Sequence, residues 1–186
     1  NHDFDVADAD KGKVLDRLGL ERGYYSNRRP GWRMIVLDGT ETAMYRYAEG
    51  TEGKKRAREA YNAIRKTGVR WAKPWNGALQ DEQIEWFKAE LKAAAAAGER
   101  VIVCNHFPVL PADNSHNLWN CGEVVEIIRQ HPQVVLYLNG HNHAGNYAQD
   151  KHCHYLNLKG MVETKIESAF EVVTFYDDRI AVDGFG

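Results

Sequence analysis

Three short apolar runs, each ending in a polar loop, constrain this fold more than any other feature. Trp32 to Asp38 carries Met34, Ile35, Val36 and Leu37 and then meets Gly39. Val101-Ile102-Val103-Cys104 runs straight into Asn105-His106. Val134 to Leu138 runs into Asn139-Gly140. Apolar, β-prone runs of about four to eight residues bounded by turn formers read as buried strands. Helical stretches separate them. Residues 51–67 read as a basic helix. Asp81 is placed to cap the next one, because its carboxylate can accept from free N–H groups of the first turn. Ile84, Phe87 and Leu91 then line one face. The alanine run Ala93 to Ala97 favours helix, and Gly98 stops it. Glu123 to Gln130 carries Val124, Ile127 and Ile128 on one side.

The remaining segments complete the outline. Val14 to Leu20 reads as a short helix, and Asn27 to Gly31, Trp71 to Gly77 and 105–119 read as loops. His154 to Leu158, Phe170 to Tyr176 and Ile180 to Val182 are β-like, with Asp177-Asp178 as a hairpin turn. The order β, α, α, β, α, β and then β-rich predicts an α/β fold, a mixed-sheet sandwich flanked by helices. No linker or repeat divides residues 1–186, so a single domain is expected.

Composition narrows the partners. The 186 residues carry 24 Lys+Arg against 26 Asp+Glu, a net charge of −2. That balance speaks against a protein built to hold nucleic acid. No apolar run approaches the ~20 residues of a membrane span. Cys104, Cys121 and Cys153 are an odd, sparse set, which favours a reducing, cytoplasmic setting over a disulfide scaffold. The opening Asn1-His2-Asp3-Phe4, without Met or leader, is expected to be internal sequence. Of eight histidines, all but His2 fall between His106 and His154.

Two of those histidine groups follow strands. In open α/β sheets ligands gather at the carboxyl ends of strands, and neutral imidazole binds divalent transition metals. His106 alone would more often be a hydrogen-bonded structural residue. Gly140-His141-Asn142-His143 is a stronger signal, since both rings can serve one pocket. His152-Cys153-His154 could form a metal cluster with Cys104, but strand alternation separates Cys153 from the two rings. Lys54 to Lys73 holds a basic stretch that reads first as a solvated helix face, and second as a rim for an anionic nucleotide. Trp119 and Asn120 could line a substrate pocket, the indole stacking on a base, or Trp119 could pin the loop to the core. His116 reads as an ordinary loop residue before a ligand, and Glu163 as a carboxylate that orients a ligand histidine.

These stretches together resemble a family. Asn1-His2-Asp3 is similar to the Gly-Asn-His-Asp/Glu motif of the calcineurin-like metallophosphoesterases, from its asparagine onward. Val101 to Pro108 resembles their strand followed by His-x-Pro, and Gly140 to His143 their Gly-His-x-His. The order also matches. A narrower likeness, to the manganese-dependent ADP-ribose/CDP-alcohol diphosphatases, rests on Asn76-Gly77-Ala78-Leu79 with Gln83 and Trp86, Leu118-Trp119-Asn120, Asn157 to Thr164, and Ala169 to Gly186.

The resemblance implies a hydrolase with two divalent ions, Mn or Fe, with Zn admissible. Asn1, His106 and His141 would hold one ion and His143 the other. His2 would protonate the departing oxygen. The partner would be a small-molecule nucleotide of ADP-ribose or CDP-alcohol type. Cyclic nucleotides or phosphomonoesters are alternative substrates, and a non-catalytic remnant is an alternative of another class. The family's Asp-x-His and Gly-Asp motifs lie upstream of the first residue here, so the resemblance also implies an N-terminally incomplete metallophosphoesterase domain.

Overall fold

The computed structural model describes residues 1–163 and 165–185. Thr164 and Gly186, which close two of the matching stretches, lie outside the described residues. The chain opens with 3-10 turns at His2–Phe4 and Asp8–Lys13 and a short helix α1 (Val14–Arg17). β1 (Tyr25–Arg29) and β2 (Trp32–Val36) form a hairpin. Helices α2 (Glu52–Lys66) and α3 (Asp81–Ala96) lead to β3 (Arg100–Cys104), and α4 (Cys121–Arg129) leads to β4 (Val134–Asn139). A second hairpin, β5 (Asn146–Asp150) and β6 (Cys153–Asn157), completes a six-stranded sheet of order β1-β2-β3-β4-β6-β5. β2, β3, β4 and β6 are parallel, and β1 and β5 are antiparallel edges. β7 (Phe170–Phe175) and β8 (Ile180–Phe185) form a separate two-stranded sheet.

The mixed α/β architecture expected from the sequence is thus present, with differences, one being the edge strand β5, which the sequence outline does not contain. Residues 27–31 are not loop throughout, because Asn27 to Arg29 belong to the edge strand β1. Asp81 does not cap α3. Gln80 is the cap residue, its carbonyl accepting from Ile84 N–H at 3.0 Å, and Asp81 sits in the first turn. A carboxylate there still meets the positive end of the helix dipole.

Crossovers of one hand that step in one direction place their helices on one face of a sheet. β2 to β3 to β4 step that way, and α3 and α4 share one core. Phe87, Leu91, Val124 and Ile128 pack against Ile35, Val101, Val103 and Tyr137. Arg33 is buried on the same face. It is satisfied by Glu90 on α3 at 2.9 Å and by Glu99 at 2.8 Å, so a buried charge ties β2 to the helix end. On the other face Phe175 of β7 lies 5.3 Å from the ring of Trp32, and Arg100 donates to the Tyr176 carbonyl.

The topology also dictates where one loop runs. β4 pairs with β6, yet the chain leaves β4 for the edge strand β5. Residues 140–145 therefore cross the carboxyl end of the sheet, and this loop holds Gly140-His141-Asn142-His143.

Phe87 is fully buried at the centre of the shared core. Phe87→Ala is expected to destabilise the chain by about 3–5 kcal/mol in urea unfolding. A loss below about 1 kcal/mol would contradict this packing account.

Candidate metal centre

Three loops meet at the carboxyl end of the parallel strands. The β3–β4 register continues beyond both strands, where Asn105 N–H donates to Leu138 O and Gly140 N–H donates to His106 O, each at 3.0 Å. That pairing sets His106 beside His141. His106 Nε2 lies 3.0 Å from His141 Nδ1 and 2.7 Å from Asn1 Oδ1. Phe107, fully buried, backs both imidazoles edge-on, with ring centroids 5.0 and 4.7 Å away. His141 has φ +66°, an uncommon left-handed conformation for a residue with a side chain. Such backbone strain concentrates at functional sites.

Asn1 reaches this point through a buried anchor. Phe4 is buried, Arg46 lies 4.1 Å over its ring, and Lys11 Nζ donates to the carbonyls of Phe4 and Tyr45. Arg46 is held in turn by Asp38, just past β2, at 2.9 Å and by Thr40 at 2.7 Å. The first turn is thereby tied to the same sheet end that supplies the histidines.

Electrostatics favour neutral rings. Burial, followed by nearby positive groups, lowers the pKa of His106 to about 3. Burial, followed by His106 and His116, lowers that of His141 to about 2. At neutral pH both imidazoles keep a nitrogen lone pair, which is the form that binds metal. The spacing fits as well, because two donors ~2.1 Å from one ion and at right angles stand ~3.0 Å apart. Among the described residues no group of three His, Cys, Asp or Glu gathers closely enough to hold an ion by itself. The third donor of this set is the amide oxygen of Asn1. Two nitrogens and one oxygen without thiolate suit a borderline divalent ion.

His143 stands at the open side of the same loop. Its Nδ1 meets Glu163 Oε1 at 2.5 Å, as expected of a carboxylate orienting a histidine. Gly160 makes the contact possible, since a Cβ there would lie 2.6 Å from the His143 ring. His2, His141, His143 and Lys159 line two adjoining depressions of about 690 and 750 Å³. His116 and Trp75 line the second of these, the His116 ring 5.3 Å from His141.

Of the two places the sequence left open for Trp119, the contacts correspond to the loop pin, and Asn120 lies beside it. They border a separate groove of about 710 Å³ between α2 and the start of α3, which none of the metal-centre residues lines. Their polar atoms are committed elsewhere. Trp119 Nε1 donates to Lys73 O at 3.0 Å and its ring stacks on Tyr61, while the Asn120 amide pairs with the backbone of Leu79. These contacts hold the loops together. Cys153 is buried, whereas His154 on the next position of β6 is exposed and paired to Tyr147, so no cysteine–histidine cluster forms with Cys104. Sequence reading passed over Asn76, Trp75 and Lys159. Asn76 and Lys159 carried a signal only as parts of matching stretches, without a role.

No protein-family model matches the chain. Curated relatives do. A manganese-dependent ADP-ribose/CDP-alcohol diphosphatase from Xenopus tropicalis is 32% identical over 178 residues, covering 88% of this chain and 52% of the relative. Its namesake from Arabidopsis thaliana is 29% identical over 189 residues, covering 92% and 60%. The chain is a relative of these diphosphatases. It spans only about half of the frog protein's length. A solved dimetal phosphatase from Danio rerio superposes with a TM-score of 0.84 at 22% identity, covering 95% of this chain and 65% of that one. The fold is the metallophosphoesterase fold. Among the described residues no helix is long and apolar enough to cross a membrane.

Phe4→Ala should remove roughly 2 kcal/mol of local burial, and so speed hydrogen exchange at the Asp5 and Asp10 amides about thirtyfold. The Val103 amide, in the core strand, should be unchanged. Equal rates in both proteins would contradict the anchor.

Proposed function

We propose that this chain carries part of the active site of a two-metal phosphohydrolase, one that cleaves the diphosphate or phosphodiester bond of an ADP-ribose- or CDP-alcohol-type nucleotide. The observation that carries the reading is that Asn1 Oδ1 and His141 Nδ1 stand 2.7 and 3.0 Å from His106 Nε2 at the carboxyl end of a metallophosphoesterase sheet. The names of the relatives support manganese and the substrate class.

On this reading Asn1, His106 and His141 hold one ion, and His143, braced by Glu163, contributes to the other. Bound there, divalent ions would lower the pKa of a water and neutralise charge on the phosphoryl oxygens. His2, on the wall shared by both depressions, donates the proton that the departing oxygen needs. Lys159 supplies a positive charge to draw the anionic diphosphate. The indole of Trp75, 43% exposed at the rim, offers a flat surface to a base.

The family resemblance assigns further ligands, and a carboxylate bridging the ions, to motifs upstream of Asn1. The test therefore compares this chain with one that includes them. Mn-dependent release of AMP from ADP-ribose is followed by chromatography, with cyclic nucleotides and p-nitrophenyl phosphate in parallel. The longer chain should turn over ADP-ribose, and His2→Ala should lower its kcat by about 100-fold or more. Full activity in His2→Ala would overturn that residue's role. A preference for the phosphomonoester would overturn the substrate class.

A further inference from the structure

Asn76 is fully buried, and all its side-chain hydrogen bonds are accounted for. Its amide nitrogen donates to Trp71 O and to Ser115 O, both at 2.9 Å. Its Oδ1 stands 2.9 Å from His141 Nε2. The network determines which way the amide faces. Reversed, it would set Oδ1 against two carbonyl oxygens and strand buried acceptors, at about 1–3 kcal/mol each. Oδ1 therefore faces the imidazole and can only accept. A neutral imidazole has a single N–H, and here it must lie on Nε2.

The segment that carries Asn76 is clamped on both sides. A Cβ on Gly77 would lie 2.2 Å from the Gly39 carbonyl oxygen, so only glycine lets the chain pass there. Gly77 O accepts from Trp119 N–H at 2.7 Å, and Trp71 Nε1 donates to Trp119 O. The asparagine thus links the loop before α3, the loop after β3 and the loop after β4.

We propose that Asn76 is a positioning residue of the metal centre: its buried Oδ1 holds His141 as the Nε2–H tautomer and turns the Nδ1 lone pair toward Asn1 and His106. The inference rests on the metal reading only for what Nδ1 binds. The tautomer and the hydrogen bond stand on geometry alone. They also give the Asn76-Gly77 pair a physical purpose, with glycine for close passage and asparagine for the buttress.

Two measurements on the full chain test it. Long-range 1H–15N NMR of the unsubstituted chain should show His141 protonated at Nε2 and bare at Nδ1, with a solvent-protected Nε2–H. Protonation at Nδ1 would overturn the proposal without any variant. Mn2+ affinity, read from the free-ion EPR signal, should fall about 10–100-fold in Asn76→Ala. The matched control is Asn117→Ala. Asn117 is also fully buried and ties the same 105–119 loop, through Pro111 O at 2.8 Å, without touching His141. Its affinity should change less than about threefold. Equal losses in both variants would reduce Asn76 to loop support and overturn the proposal, as would an unchanged affinity in Asn76→Ala. Failure of the metal reading is a distinct outcome, in which the unsubstituted chain takes up no Mn2+. It overturns the proposal as well, while leaving the NMR result in place.

Discussion

One hydrogen bond past the end of the β3–β4 ladder, from Gly140 N–H to the His106 carbonyl, carries the arrangement of the whole site. It extends the parallel register beyond the strands and sets His106 against Gly140, next to His141. His106 and His141 become neighbours although 35 positions separate them. The rest of the molecule serves that pairing. α3 and α4 pack one face of the sheet, and Phe107 closes the apolar floor beneath the rings. The excursion from β4 to the edge strand β5 forces the histidine loop across the sheet end. The Asp38–Arg46–Phe4 chain of contacts brings Asn1 to the same point from the other side.

The site combines burial with unspent donor capacity. Two imidazoles held neutral by burial, and facing an amide oxygen, are a poor arrangement for stability alone. Holding His141 in a left-handed conformation adds roughly 1–2 kcal/mol of local cost. Such costs persist where the surroundings over-determine the geometry. Here Asn76, Phe107 and the Gly140 hydrogen bond do so. At the open side the requirement differs. His143 is half exposed and oriented by a single carboxylate, so its position depends on the segment 158–163.

The sequence made the centre of the fold legible and left its margins obscure, for physical reasons. β2, β3 and β4 are flanked on both sides in the sheet, so their residues form continuous apolar runs that stand out. β1 and β5 are edges, and Ser26-Asn27-Arg28-Arg29 and Asn146-Tyr147-Ala148-Gln149 carry the polarity of strands paired on one side only. His106, His141 and His143 were legible because each follows a strand. Trp119 left two places open in the sequence, and contacts with Lys73 and Tyr61, distant along the chain, tie it into the loops beside another groove. Asn76 could not be assigned a role from the chain at all. Its purpose lies in contacts with Trp71, Ser115 and His141, the last 65 positions away.

The central claim is that His106 and His141 bind one manganese ion together. Pulsed EPR of the chain loaded with Mn2+ measures this directly, because imidazole nitrogens modulate the electron spin echo. The account predicts modulation from two nitrogens in the unsubstituted chain and from one in either His106→Ala or His141→Ala. Absence of nitrogen modulation in the loaded chain, or an unchanged pattern in His141→Ala, would contradict it.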